Sequence, residues 1–147
     1  VANYSNDAFG GEMGYALAYN WTETTVDKFG ANVNETKLNR LERGLPEQKG
    51  SFTVDYSADD WTLMARANYY GEWFQFSPNI TGDAVVLLDA EFAYNFDGGT
   101  AISVGVNNLT DDNGPVAVGA PSGRSYASTS PYGFNGRFMY AKVSHRF

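Results

Sequence analysis

Side-chain character alternates with a period of two along most of this chain, and the alternation always sets an apolar face against a small or polar one. Over residues 13–21 the odd positions are Met13, Tyr15, Leu17, Tyr19 and Trp21, and the even ones are Gly14, Ala16, Ala18 and Asn20. The last ten residues do the same, with Met139, Ala141 and Val143 on one face and Tyr140, Lys142, Ser144 and Arg146 on the other, ending on Phe147. A two-residue period reverses the side-chain direction at every step, so these segments are strands lying between two unlike media.

The same pattern places further strands at Phe52, Val54 and Tyr56 against Ser51, Thr53 and Asp55; over residues 61–70; over 86–96, where Leu87 is the one misfit; and over 100–108. Residues 57–60 and 97–99 make tight turns. Residues 23–50, 74–83 and 109–131 are expected to be longer loops. Residues 5–11, with Asn6, Asp7, Gly10 and Gly11, are expected to be another short turn, which leaves residues 1–4 as the stump of an earlier strand. Short turns therefore alternate with long loops, which is the asymmetry of an outer-membrane β-barrel with its short turns in the periplasm.

Strand length and aromatic placement agree with that reading. At about 3.3 Å per residue and a tilt of about 45°, residues 61–69 rise on the order of 19 Å and residues 86–96 on the order of 23 Å, close to an apolar band about 25 Å tall. Tyr19 and Trp21 fall at one rim of that band, and Tyr56, Trp61, Tyr94, Phe96 and Phe147 at the other, as two aromatic girdles. A soluble β-sandwich remains an alternative, as does a small complete barrel of about eight strands with a structural or adhesive role.

Composition narrows the function. The 10 basic and 17 acidic side chains give a net charge of −7, with the bases scattered, so nucleic acid is not an expected partner. No cysteine is present to form a disulfide or a thiolate metal site. The sequence contains no Gly-x-Ser-x-Gly, no phosphate-binding glycine loop and no paired catalytic acids, so neither an enzyme nor a cofactor is expected. His145 is the only histidine and lies near the short-turn end. Asp111 and Asp112 beside Asn113 and Gly114 lack the spacing of a calcium loop and fit a capped turn.

Four stretches are specific enough to carry a family resemblance: Leu41-Glu42-Arg43-Gly44-Leu45-Pro46-Glu47-Gln48, Leu88-Asp89-Ala90-Glu91-Phe92-Ala93-Tyr94, Val104-Gly105-Val106-Asn107-Asn108-Leu109-Thr110-Asp111-Asp112, and the final strand. Together they make the whole chain resemble the C-terminal part of a TonB-dependent outer-membrane receptor. The resemblance implies an all-β fold, namely an antiparallel transmembrane β-barrel segment forming the last six or so strands of a barrel of about 22. It implies one region over residues 1–147, with no plug domain, that serves a parent importing a siderophore, cobalamin, a saccharide or a similar scarce nutrient. The implied partners are outer-membrane lipid, the rest of the receptor including its plug, the TonB energy-coupling complex acting through the missing N-terminal part, and the outer-membrane assembly machinery.

Residues follow from these readings. Arg66, Asn68, Tyr70 and Glu72, with Asp89, Glu91 and Asn95, share the inward parity, and a hairpin folded about residue 79 sets Arg66 near Glu91 and Tyr70 near Asp89. They are expected to grip the plug or line the lumen, or to do no more than satisfy one another as a polar ladder. Arg124 and Tyr126 are the candidate nutrient ligands in the last long loop. By resemblance, Phe147 with Val143, Ala141 and Met139 forms the signal recognised by the assembly machinery.

Overall fold

A computed structural model describes residues 1–119 and 123–146. Seven antiparallel strands form one sheet in chain order: β1 (Ala2–Ala8), β2 (Gly11–Trp21), β3 (Gln48–Ala58), β4 (Trp61–Tyr70), β7 (Val85–Phe96), β8 (Thr100–Asn107) and β9 (Phe138–His145). A separate two-stranded hairpin, β5 (Trp73–Gln75) and β6 (Ile80–Gly82), and one helix, α1 (Glu35–Arg43), occupy two of the long connections. Every neighbour in the main sheet is next in sequence apart from that hairpin insertion, so the sheet is an up-and-down meander. Among the described residues β1 and β9 do not pair with each other, and the sheet is open.

The register turns the sequence alternation into two continuous surfaces. Met13, Tyr56, Leu63, Phe92, Val104 and Ala141 are successive cross-strand partners, so they run as one apolar row across six strands. One residue further along each strand, Gly14, Asp55, Met64, Glu91, Gly105 and Tyr140 form the matching row on the other face. The apolar face is not folded away: Trp21 is 65% exposed and Phe92 42%, and Leu17, Phe52, Leu63, Val86, Leu88, Ile102, Val104 and Val143 are exposed with them. A β-sandwich would bury such a face under a second sheet. Here the small hairpin is the other sheet, and the apolar rows lie open, as the outside of a membrane barrel does.

Several expectations need correction. Residues 1–11 are not a stump and a turn: β1 runs through Ser5, Asn6 and Asp7, and the turn is only Phe9-Gly10, both at positive φ (51° and 81°), as a tight I′ hairpin requires. Seven strands therefore stand where six were expected. The polar stretch 23–50 contains α1, started by Asn34, whose side chain accepts a hydrogen bond from the Lys37 N–H at 3.0 Å. Half of its charged residues, Glu35, Lys37, Arg40, Glu42 and Arg43, lie on this helix, which buries none of its residues.

The connection 74–83 is a hairpin rather than a loop. Trp73 opposes Gly82 and Gln75 opposes Ile80, which continues the β4–β7 register in which Tyr70 opposes Val85. The hairpin therefore turns between residues 77 and 78, one to two residues earlier than residue 79, about which the sequence suggested it folds. As a result Arg66 lies opposite Asp89 rather than near Glu91, Met64 lies opposite Glu91, and Tyr70 lies opposite Val85 rather than near Asp89. Leu87, the misfit on the polar parity, is buried at 6% exposure.

Candidate functional site

The polar face of the sheet carries three groups of cross-strand hydrogen bonds that together reach from β3 to β9. Arg66 donates through Nε to Thr53 Oγ1 at 3.1 Å. Asn68 donates through Nδ2 to Asp89 Oδ2 at 2.7 Å, and the other Asp89 oxygen accepts the Asn108 N–H at 2.9 Å. Both oxygens of Asp89 are thus committed, one to the neighbouring strand β4 and one to the end of β8. Tyr140 donates its hydroxyl to Glu91 from two strands away. That reach depends on Gly105, which lies between them in the row: a Cβ at Gly105 would fall 2.3 Å from the Tyr140 ring, so the bare backbone lets the phenol cross β8.

Of the residues predicted from the sequence, Arg66, Asn68, Asp89 and Glu91 thus lie together on one face of β4 and β7. Tyr70 is at the loop end of β4, where Lys49 sits 6.0 Å over its ring and the Tyr132 ring lies 5.4 Å away. Glu72 lies beyond the end of β4 and pairs with Arg43 of α1 at 3.6 Å; both side chains are exposed. Asn95, near the short-turn end of β7, donates its N–H to the Asp60 carbonyl at 2.6 Å. Thr53, Asn108 and Tyr140 are members that sequence reasoning did not assign to the site. Gly105 directly opposite an aromatic on the neighbouring strand is the signal that would have found Tyr140.

The Asn-Asn-Leu-x-Asp stretch has a structural explanation. Asn108, at φ 54° and 8% exposed, receives Thr110 Oγ1 and the Asp112 N–H on its side-chain oxygen and donates Nδ2 to the Asp112 carbonyl at 2.7 Å. Asp112 accepts the Gly114 N–H at 2.7 Å and Asp111 accepts the Arg137 N–H at 2.8 Å, so the exit and return of the third long connection are tied together. The two aspartates bind backbone amides as a capped turn does. His145 at the opposite end meets Thr100 Oγ1 through Nδ1 at 2.9 Å.

Above the loop end of the sheet, the connections cap one another. Trp73 is fully buried, and Phe74, Gln75, Ala117 and Ala127 in the second and third long connections are buried as well. Gln75 Oε1 accepts both the N–H and the hydroxyl of Thr129, at 3.1 and 3.0 Å. Arg40 of α1 lies 5.5 Å over the Phe76 ring and brings the first connection to the second. Burial and the nearby Asp112 carboxylate hold the Tyr132 phenol above its ordinary pKa. Arg124 is exposed, whereas Tyr126 is half-buried in a bridge to Val116, with the Ala117 N–H on the Ser125 carbonyl at 2.9 Å. Met139, Ala141 and Val143 lie exposed on β9; Phe147 falls outside the described residues.

One face apolar and open, the other polar and internally bonded, with long connections at one end and tight turns at the other, defines a segment of transmembrane β-barrel wall. Residues 2–109 match the family described as TonB dependent receptor-like, beta-barrel, and the chain belongs to that family. Two solved structures share its fold. A mutant of the ferric enterobactin receptor PfeA from Pseudomonas aeruginosa aligns with TM-score 0.61 at 21% identity, over 95% of this chain and 20% of that one. The copper transporter OprC aligns with TM-score 0.59 at 18% identity, over 99% of this chain and 22% of that one. The chain thus spans about a fifth of the length of these structures. No curated protein matches it significantly. Members of the family are outer-membrane transporters.

Proposed function

We propose that this chain is part of the barrel wall of a TonB-dependent transporter in the bacterial outer membrane, which imports a scarce nutrient such as a siderophore, cobalamin, a saccharide or a metal complex. The observation that carries the reading is the six-strand apolar row from Met13 to Ala141, open along its length and backed by a hydrogen-bonded polar row. In this reading lipid covers the apolar rows. Arg66, Asn68, Asp89 and Glu91 face the plug, and Tyr70 and Glu72 stand where the lumen meets the outer loops. Backbone groups left unpaired in hydrocarbon cost several kcal/mol each, so the free edges of β1 and β9 pair with the remaining barrel strands. The apolar parity of β9 at Met139, Ala141 and Val143, followed by Phe147, is presented to the assembly machinery. Arg124 and Tyr126 stand on the outer side, where a nutrient is met first.

Transport in the whole protein needs a plug and contact with the TonB complex, and the reaction at this wall is passage rather than catalysis. The test is uptake by cells carrying the full-length protein, measured for a panel of labelled iron, copper, cobalamin and saccharide nutrients. The proposal expects one nutrient to lose uptake both when the protein is deleted and when TonB is inactivated. Undiminished uptake of every nutrient in the deletion strain, or loss that is indifferent to TonB, contradicts it.

A further inference from the structure

The apolar face is not uniformly filled. Between β2, β3 and β4, close to the tight turns, a cavity of about 440 Å³ is lined by Phe9, Met13, Val54, Trp61, Leu63 and Ala65, with the Tyr56 ring as a further wall. It exists because small side chains at Val54 and Ala65, which are cross-strand partners, lie below the larger Tyr56 and Leu63 pair. Its rim is built with care. The Tyr56 hydroxyl donates to the Phe9 carbonyl at 2.9 Å, and the Tyr56 and Trp61 rings stand 5.1 Å apart. Phe9 itself is 92% exposed and sits at φ 51°, a conformation costly for a residue with a bulky side chain. A polar residue or glycine would serve the turn better, so the ring is there for what it touches on the open side.

The tight turn after Ala58, which leads directly into the cavity-lining Trp61, carries Asp59 and Asp60, both exposed. Asp97 lies exposed in the next turn along the same rim. Carboxylates in the turn next to an apolar slot suit a ligand with a hydrocarbon chain and a cationic end, and disfavour one with a purely anionic end. We propose that this cavity holds one acyl chain of a phosphatidylethanolamine-class phospholipid from the periplasmic leaflet, with its ammonium group at Asp59 and Asp60. The inference rests on the reading that this face meets the bilayer. It adds that the lipid here is a bound ligand with a chosen headgroup, distinct from the exchanging lipid around the rest of the wall.

The test reconstitutes the full-length protein in phosphatidylcholine with increasing phosphatidylethanolamine whose acyl chains are brominated, since bromine quenches an indole on contact. Trp61 lines the cavity, and its emission is isolated as the difference between the protein and its Trp61→Phe variant. The expected result is quenching that saturates near one brominated lipid per protein. Ala65→Phe, which fills the cavity, removes the saturable part. Asp59→Asn combined with Asp60→Asn weakens it several-fold and leaves the fold untouched. Three results overturn the proposal. Quenching that rises without saturation and ignores Ala65→Phe shows ordinary lipid contact and leaves the membrane reading standing. Equal saturation by brominated phosphatidylglycerol removes the headgroup assignment. Absence of any quenching takes this face out of hydrocarbon, and the reading of the chain as barrel wall falls with it.

Discussion

Asp89 is the point where the wall and the third long connection are joined, and its removal has a calculable local effect. Its carboxylate accepts from Asn68 Nδ2 at 2.7 Å and from the Asn108 N–H at 2.9 Å. A hydrogen bond to a charged acceptor contributes roughly 1.5–3 kcal/mol, and a buried donor stripped of its partner keeps the desolvation cost. In Asp89→Ala the half-exposed Asn68 amide regains water, but the Asn108 N–H, in a residue 8% exposed, does not. The opening free energy of the Asn108–Asp112 turn therefore falls by roughly 1.5–3 kcal/mol, which raises amide exchange there on the order of ten- to a hundredfold. Asp89→Asn keeps a neutral acceptor and gives a smaller increase. Hydrogen exchange by mass spectrometry on the full-length protein reads this directly, with β2 as the internal control. Unchanged exchange at residues 108–112 in Asp89→Ala refutes the clamp, and so does a rise spread equally through β2.

Other positions give independent checks. At Gly82 a Cβ would fall 2.2 Å from the Trp73 indole, so Gly82→Ala is expected to push Trp73 from its core at a cost of about 1–3 kcal/mol, seen as a red shift of its emission; an unshifted spectrum contradicts the packing. Asn34→Ala removes the cap of α1 and costs the helix about 0.5–2 kcal/mol, visible as faster exchange over residues 35–43, whereas Asn34→Asp preserves it. Tyr132, raised above the usual tyrosine value, binds its proton more tightly folded than unfolded, so its contribution is intact below about pH 10 and lost as pH climbs through the raised value. Trp73 emission is expected to change with pH in that alkaline range in the protein and to stay flat in Tyr132→Phe. Gly105→Ala drives a methyl into the Tyr140 ring and is expected to break the Tyr140–Glu91 bond, with faster exchange across the β8–β9 pair.

Six strands of the wall were legible because they carry a two-residue period over six or more residues, broken only at Leu87, and meet a different medium on each face. β1 was obscured because Asn6 and Asp7 resemble turn residues by type, yet lie opposite Met13 and Glu12 at the edge of the sheet. α1 escaped notice because it is nine residues long and mostly charged or polar, with only Leu38 and Leu41 as an apolar pair on one side; Asn34 three residues before Lys37 marked its start. The β5–β6 hairpin is three residues a side, too short for periodicity to register, and it alone moved the Arg66 pairing from Glu91 to Asp89. Tyr140 was missed because it binds Glu91 across strands distant in sequence, and such a contact depends on a register that single-strand patterns leave undetermined.

The central claim is that one parity of these strands meets hydrocarbon and the other a wet interior. Because this chain has no cysteine, single cysteines placed at Leu63, Phe92 and Val104, and at Arg66, Glu91 and Ser103, report each face separately. In native membranes the first three are expected to resist a water-soluble maleimide and to contact a lipid-borne nitroxide, while the second three resist the nitroxide. Nitroxide contact that is equal at both parities, or aqueous labelling concentrated at Leu63, Phe92 and Val104, contradicts the account.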